Sequence, residues 1–189
     1  EGRRQKLVKY YSRIPEFAAM PKQEEAQIID GAEISVRTPK KEEMLDICRA
    51  FYNEYGLTYV NDLIYYPDRF YAAVAKDQIH STIAVDQYGR FAGHHGAFQW
   101  TNVPGIWESG MAVVNSSFRN AGVFKKMMAR TYAYVHDEVK GKLFLGCCIT
   151  SHPYSQKLRL KYGSFPCAFC FNLGAPDIAI STFKGANDF

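Results

Sequence analysis

The sequence predicts a mixed α/β domain with a central sheet, and three observations carry that prediction. Apolar residues recur first at helical spacing, then in alternation, then at helical spacing again. Turn signals at Tyr88-Gly89 and Val103-Pro104-Gly105 cut the alternating stretch into three neighbouring strands. After those strands the chain runs through a polar turn straight into a helix, and then through strand, helix and strand. The 189 residues, 47% of them hydrophobic, suit one domain with its own core plus an extension.

Taken in order, residues 1 to about 32 mix basic, aromatic and acidic side chains with Pro15 and Pro21, and read as a strand-like stub with a linker. The domain proper is expected over 33–175, with a tail over 176–189. Ile34 and Val36 alternate with polar neighbours as a first strand. Thr38-Pro39-Lys40-Lys41-Glu42 offers a hydroxyl cap, a first-turn proline and an acidic residue, the marks of a helix start. Met44, Leu45, Ile47, Cys48 and Phe51 follow at helical spacing, and the stretch from Asn53 to Gly56 ends that helix. Tyr65-Tyr66-Pro67-Asp68 opens a second one through Phe70, Ala73 and Val74.

Ile79, Ile83 and Val85 share one strand face, the returning strand spans 91–98, and the third spans 107–114. A helix is expected over 122–139. The nearly all-apolar run 142–149 predicts a strand covered on both faces. A short helix over 153–162 and a last strand over 165–173 complete the order.

A net charge of +4, with basic residues scattered except near the start and at Lys125-Lys126, gives no nucleic-acid footprint. No apolar run reaches the roughly 20 residues of a membrane helix and no signal peptide opens the chain, so the expected location is cytoplasmic. Of the five cysteines, Cys147-Cys148 and Cys167 with Cys170 lie in apolar runs without zinc-site spacing, and buried reduced thiols are expected. The pair His94-His95 should place one ring on each face of its strand, as packing residues or with one lining a cleft; adjacent histidines of this kind do not form a metal site. Trp100 and Trp107 read as core or interface.

The run Met111-Ala112-Val113-Val114-Asn115-Ser116-Ser117-Phe118-Arg119-Asn120-Ala121-Gly122-Val123-Phe124-Lys125-Lys126 is the most informative segment. Where a strand passes through a turn into a helix, the first helical N–H groups have no intrahelical partners, and the positive end of the helix dipole faces the loop. Such a junction suits a phosphate. Gly122 permits close backbone approach, and Arg119, Lys125 and Lys126 can add charge.

This segment resembles the acetyl-CoA loop of the GNAT N-acetyltransferases, [Q/R]-x-x-G-x-[G/A]. Arg119 and Gly122 match; Phe124 stands where the family usually has Gly or Ala, and can reshape the cradle or point beneath the helix. The resemblance covers the element order from Ile34 to Leu173 and implies a GNAT-like mixed sheet flanked by helices, with acetyl-CoA as cosubstrate and an amine, small molecule or protein, as acceptor. It assigns the cofactor site to Met111, Ala112, Val113, Val114, Arg119, Asn120, Ala121, Gly122, Val123 and Phe124.

Acetyl transfer needs a deprotonated amine, a polarised carbonyl and a way to accommodate the leaving thiolate. By the resemblance, N–H groups of the strand 111–114 serve the second need. Glu108, placed by alternation on the face of Gly110 and Ala112, is the candidate base, with a solvated or ion-paired glutamate as the other reading. The family's proton donor is a Tyr in N-x-x-A-x-x-x-Y-x-x-x-G-F. Aligned on Gly163, His152 replaces the Asn, Ser155 the Ala and Arg159 the Tyr, and an arginine does not give up its proton at neutral pH. Tyr154, Tyr162 or His152 would have to substitute, with Tyr154 taken as the second catalytic candidate and His152 also suited to capping the helix. Acceptor choice is expected to depend on the first helices and the loops around 55–62 and 100–107.

Ile149-Thr150-Ser151-His152-Pro153-Tyr154-Ser155-Gln156-Lys157, with Glu108-Ser109-Gly110, further resembles the GNAT-type domain fused behind the ATPase of bacterial anti-sigma-factor serine kinase-like proteins. Gly2-Arg3-Arg4-Gln5-Lys6-Leu7-Val8-Lys9-Tyr10 would then close that ATPase, implying a bacterial signalling context with a kinase module. An acyl-CoA-binding regulatory module without efficient catalysis is the alternative reading of the same domain.

Overall fold

A computed structural model describes residues 28–56, 59–100, 103–148 and 153–168. β1 (Ser35–Arg37) is followed by a 3-10 turn (Lys41–Glu43) and α1 (Met44–Tyr55), then by a second 3-10 turn (Asp62–Tyr65) and α2 (Pro67–Ala75). The meander β2 (Ile79–Val85), β3 (Phe91–Gln99) and β4 (Ile106–Val114) comes next. A short turn (Ser116–Phe118) leads into α3 (Val123–Ala133), which ends in a π-helical turn (Tyr134–Glu138), and β5 (Leu143–Gly146) and α4 (Tyr154–Lys161) complete the described chain.

The five strands form one sheet in sequence order, antiparallel except where β5 runs parallel to β4. Its two faces are covered by different helices. Met44, Ile47, Cys48 and Phe51 fall at i, i+3, i+4 and i+7 of α1, are fully buried, and pack with Phe70 of α2 against Ile79, Ile83, Met111 and Val113. On the other face Val123 and Met127 of α3 pack on Ala84, Ala92 and Phe118. Each large side chain so buried contributes about 1.5–3 kcal/mol. Pro67 occupies the first turn of α2, where its missing N–H costs nothing. No helix among the described residues is long and apolar enough to cross a membrane.

The predicted order is observed, with local differences. The first helical turn begins at Lys41 rather than at a Thr38 cap, because the Glu43 carboxylate reaches back to accept the Lys40 N–H (2.7 Å) while pairing with Arg37. The helix expected over 122–139 is α-helical only as far as Ala133. The run 142–149 yields a strand of four residues that is not covered on both faces: Leu143 and Gly146 are exposed, because β5 lies at the edge of the described sheet. The buried-thiol expectation holds for Cys48 in the α1 core, while Cys147, just past β5, and Cys167 are exposed and Cys148 is half-buried. Residues 165–168 of the expected last strand are not in a strand, and its remainder, with Cys170, lies outside the described residues.

Candidate functional site

β4 divides into two halves. Ile106, Trp107, Glu108 and Ser109 pair with Leu143, Phe144, Leu145 and Gly146, and the pairing stops there. From Gly110 to Val114 the edge of β4 that faced β5 has no strand partner among the described residues, so a wedge opens at the C-terminal ends of two parallel strands. A bulge marks the same point. His94 pairs with Val113 and Gly96 with Gly110, so two β4 residues oppose the single His95, and Met111 takes a left-handed φ of 49°.

The bulge inverts the strand. Trp107 packs on Val135 and Ser109 bonds to His95, both on the α3 face, yet Met111 and Val113 belong to the core under α1 and α2. Alternation from Glu108 therefore fails at Ala112, which falls on the opposite face; the expected sharing of one face by Glu108, Gly110 and Ala112 stops at the inserted residue. His94 fixes this geometry. A carbonyl can only accept, so His94 Nδ1–H donates to Met111 O (2.7 Å), leaving Nε2 to accept from the Ser81 hydroxyl (2.8 Å). The ring lies edge-on to Phe51 and Phe70, and burial pushes its pKa down to about 4.

At its far end β4 meets the predicted anion site. The Asn115 side chain accepts from Ser117 N (3.1 Å) and turns the chain, and Asn120 and Gly122 both adopt left-handed backbone (φ 71° and 69°). Gly122 is the N-cap of α3 and makes no side-chain cap bond, so the first N–H groups of the helix are left for another partner. Space above Gly122 is open: a side chain there would meet nothing within 4 Å. Arg119, expected to add charge to a ligand, instead donates to Glu54 at the end of α1 (2.9 Å), and Lys126 donates to Ile34 O. Phe124 leans inward, edge-on to His95 and against the α3 core, which leaves the loop surface clear of its ring. Helix N-terminus, glycine and unpaired strand edge together form a donor set suited to a diphosphate on an extended amide-bearing arm.

On the α1 face, Glu108 is half-buried and accepts from Trp100 Nε1 (3.0 Å). Tyr59 lies beside it: burial raises the Tyr59 pKa, with the Tyr55 and Glu108 charges adding and a backbone hydrogen bond from Met111 opposing. Tyr55, its ring tilted against that of Tyr59, is pushed up to about 12 by burial. Past Trp100 opens a cavity of about 650 Å³, lined among others by Leu63, Ala73, Lys76, Asp77 and Ile79.

The structure separates the α4 candidates. Tyr154, at the first turn, is 69% exposed. Tyr162 bonds to Lys125 O, and His152 lies outside the described residues. Arg159 is the α4 side chain that reaches the sheet, donating to Ser109 Oγ (2.8 Å) and lying 3.5 Å from the Tyr132 hydroxyl. Its guanidinium rests on Gly146, where any added side chain would overlap it.

His94, Ser109, Gly146 and Tyr59 are site residues that sequence reasoning did not assign. Strand alternation places the two histidines on opposite faces, as observed, but nothing local marks the bulge that gives His94 its carbonyl partner.

No family model and no curated protein matches the chain. Solved structures do. An acetyltransferase of Trypanosoma brucei superposes with a TM-score of 0.59 at 13% identity, covering 76% of this chain and all of that one. A candidate acetyltransferase of Salmonella typhimurium, solved with its cofactor acetyl-CoA, gives 0.63 at 15% identity over 75% of this chain and 85% of that one. Glucosamine-6-phosphate N-acetyltransferase of Arabidopsis thaliana gives 0.56 at 12%, over 74% and 97%. With its five-stranded mixed sheet, helices on both faces and a wedge between β4 and β5, the chain has the fold of the GNAT acetyltransferases.

Proposed function

We propose that the chain transfers an acetyl group from acetyl-CoA to an amine. The observation that carries this reading is the edge of β4 from Gly110 to Val114, without a strand partner among the described residues and leading through the turn 115–122 to the N-terminus of α3. At about 3.3 Å per residue, that edge offers some 13–17 Å of backbone donors and acceptors between the end of the β5 pairing and the anion site. Residues 111–114 would hold the amide-bearing arm in the manner of an added strand, and the loop from Arg119 to Phe124 would hold the diphosphate. Bound there, acetyl-CoA supplies an acetyl group activated as a thioester.

Glu108, half-buried and bonded to Trp100, which lines the cavity, would take a proton from an incoming amine. The left-handed turn at Met111 redirects the backbone next to it, and His94 holds that turn rigid. Tyr154 stands exposed at the start of α4.

Calorimetry with acetyl-CoA, followed by thiol release with a panel of small amines and lysine peptides, tests the reading. Binding and turnover are expected, and Glu108→Gln should lower kcat by about 10²–10⁴ without weakening acetyl-CoA binding. No binding of acetyl-CoA overturns the proposal. Binding without transfer to any amine would return the domain to the regulatory reading, which the three relatives reported above, each named an acetyltransferase, do not favour.

A further inference from the structure

We infer that Arg159 is the group that receives the leaving thiolate of the acyl donor, stabilising the sulfur by charge rather than by giving it a proton. This rests on the proposed acetyl transfer and assigns a role that the sequence pattern leaves vacant.

Placement is the first argument. If the diphosphate sits at the α3 N-terminus, beside Val114, an arm laid back along the free edge of β4 ends near Ser109 and Gly110, where the β5 pairing begins. Arg159 occupies that apex. Its Nη2 lies 2.8 Å from Ser109 Oγ and 3.4 Å from Ser109 O, and Nη1 is 3.5 Å from the Tyr132 hydroxyl. Gly146, the last residue of β5, lets the guanidinium lie flush on the strand.

Unspent bonding capacity is the second. The Nε of Arg159 is buried and has no hydrogen-bond partner among the described residues. Two of the three contacts made by the other nitrogens are long, at 3.4 and 3.5 Å. A guanidinium serving only to tie α4 to the sheet would be expected to satisfy its buried N–H groups, because each one left unpaired costs about 1–3 kcal/mol. An anion at the apex would satisfy them.

The chemistry balances without a proton donor. The amine nitrogen forms a bond to the acetyl carbon, the carbon–sulfur bond breaks, and its electron pair stays on sulfur as a thiolate beside Arg159. The amine's proton leaves through Glu108. Arg159 keeps its proton throughout, as a guanidinium must at these pH values. Among the described residues the titratable groups connected to it are Tyr132 from α3 and His95 from β3 through Ser109; Cys147 and Cys148 follow Gly146 in the chain. Burial holds His95 neutral.

The test compares the binding of CoA with that of desulfo-CoA, which lacks only the sulfur, by calorimetry at pH 7 and pH 9.5. A free thiol ionises near about pH 8.5, so a site built for thiolate should prefer CoA increasingly as pH rises. In wild type the preference is expected to grow at least about tenfold over that range. Arg159→Gln should flatten it to under about twofold, Arg159→Lys should retain much of it, and Gly146→Ala should reduce it by displacing the guanidinium while keeping its charge. A preference that stays flat in wild type, or that survives in Arg159→Gln, overturns the inference while acetyl-CoA binding still stands. If Arg159→Gln does not fold, the wild-type, Lys and Gly146→Ala measurements decide. If neither CoA nor desulfo-CoA binds wild type, the acetyl-transfer reading itself has failed, and this inference with it.

Discussion

His94 and His95 are adjacent in sequence, equally buried, and opposite in what they connect. His94 faces α1 and α2, in an aromatic setting, and its bonds run to one carbonyl at the β4 bulge and one hydroxyl on β2. His95 faces α3 and sits within a chain of hydroxyls. One assignment satisfies every member: Arg159 donates to Ser109, Ser109 to His95 Nε2, His95 Nδ1 to Thr131, and Thr131 to Met127 O. The first histidine therefore shapes the backbone on the side where the acceptor would enter. The second links the sheet to α3 through Thr131 and to α4 through Ser109 and Arg159. Two identical residues do different work because the pleat sends them to different faces.

Acid should expose the largest effect. Burial depresses both histidines, His94 to about 4, against an ordinary value near 6.5. Below pH 6.5 the unfolded chain takes up protons that the folded one refuses, so stability is fully present above pH 6.5 and is lost as pH falls toward 4. His94 alone accounts for about 3 kcal/mol of that loss. Urea unfolding at pH 7 and pH 4.5 measures it, and His94→Leu should show a visibly shallower dependence than wild type. An unchanged dependence would mean that His94 is not held neutral as its contacts imply.

At neutral pH the two sites should separate. His94→Leu leaves the Met111 carbonyl and the Ser81 hydroxyl buried without this partner, at a cost of about 2–4 kcal/mol, and should collapse acetyl transfer by loosening the bulge. His95→Leu should cost less, about 1–2 kcal/mol, because Ser109 retains Arg159 and Thr131 retains Met127 O. Equal losses in denaturant midpoint and turnover would erase the distinction between the faces.

Much of this contrast was legible in the sequence, and the boundary has a physical cause. Alternation over 79–99 placed the strands and sent the two rings to opposite faces, because a period of two is a local property of the chain. The strand-turn-helix junction at Gly122 was equally local. The bulge was not: whether Met111 is an extra residue depends on which β3 residue it opposes, and no short window contains both strands. Arg159 stands out in the sequence as a departure from a tyrosine pattern, but its seat on Gly146 joins residues from separate elements. The contact between Arg119 and Glu54 spans 65 positions, so the loop arginine appeared free in the sequence when it is paired in the fold.

That last pair gives the smallest effect and a direct link between the two faces. Glu54 lies in the last turn of α1, next to Tyr55 on the side proposed for the acceptor, while Arg119 belongs to the loop at the α3 N-terminus. Their side chains are 14% and 35% exposed, so the pair is partly screened and Glu54→Gln should change stability by less than about 1 kcal/mol. Binding should change in the other direction. Released from its carboxylate, Arg119 can turn toward the diphosphate, and acetyl-CoA affinity should rise about two- to fivefold at low salt and converge on wild type at about 0.5 M salt. Calorimetry at the two salt concentrations reads this out. A fall in affinity would instead show that Glu54 holds Arg119 in its binding position, so that α1 supports the anion loop rather than competing with it.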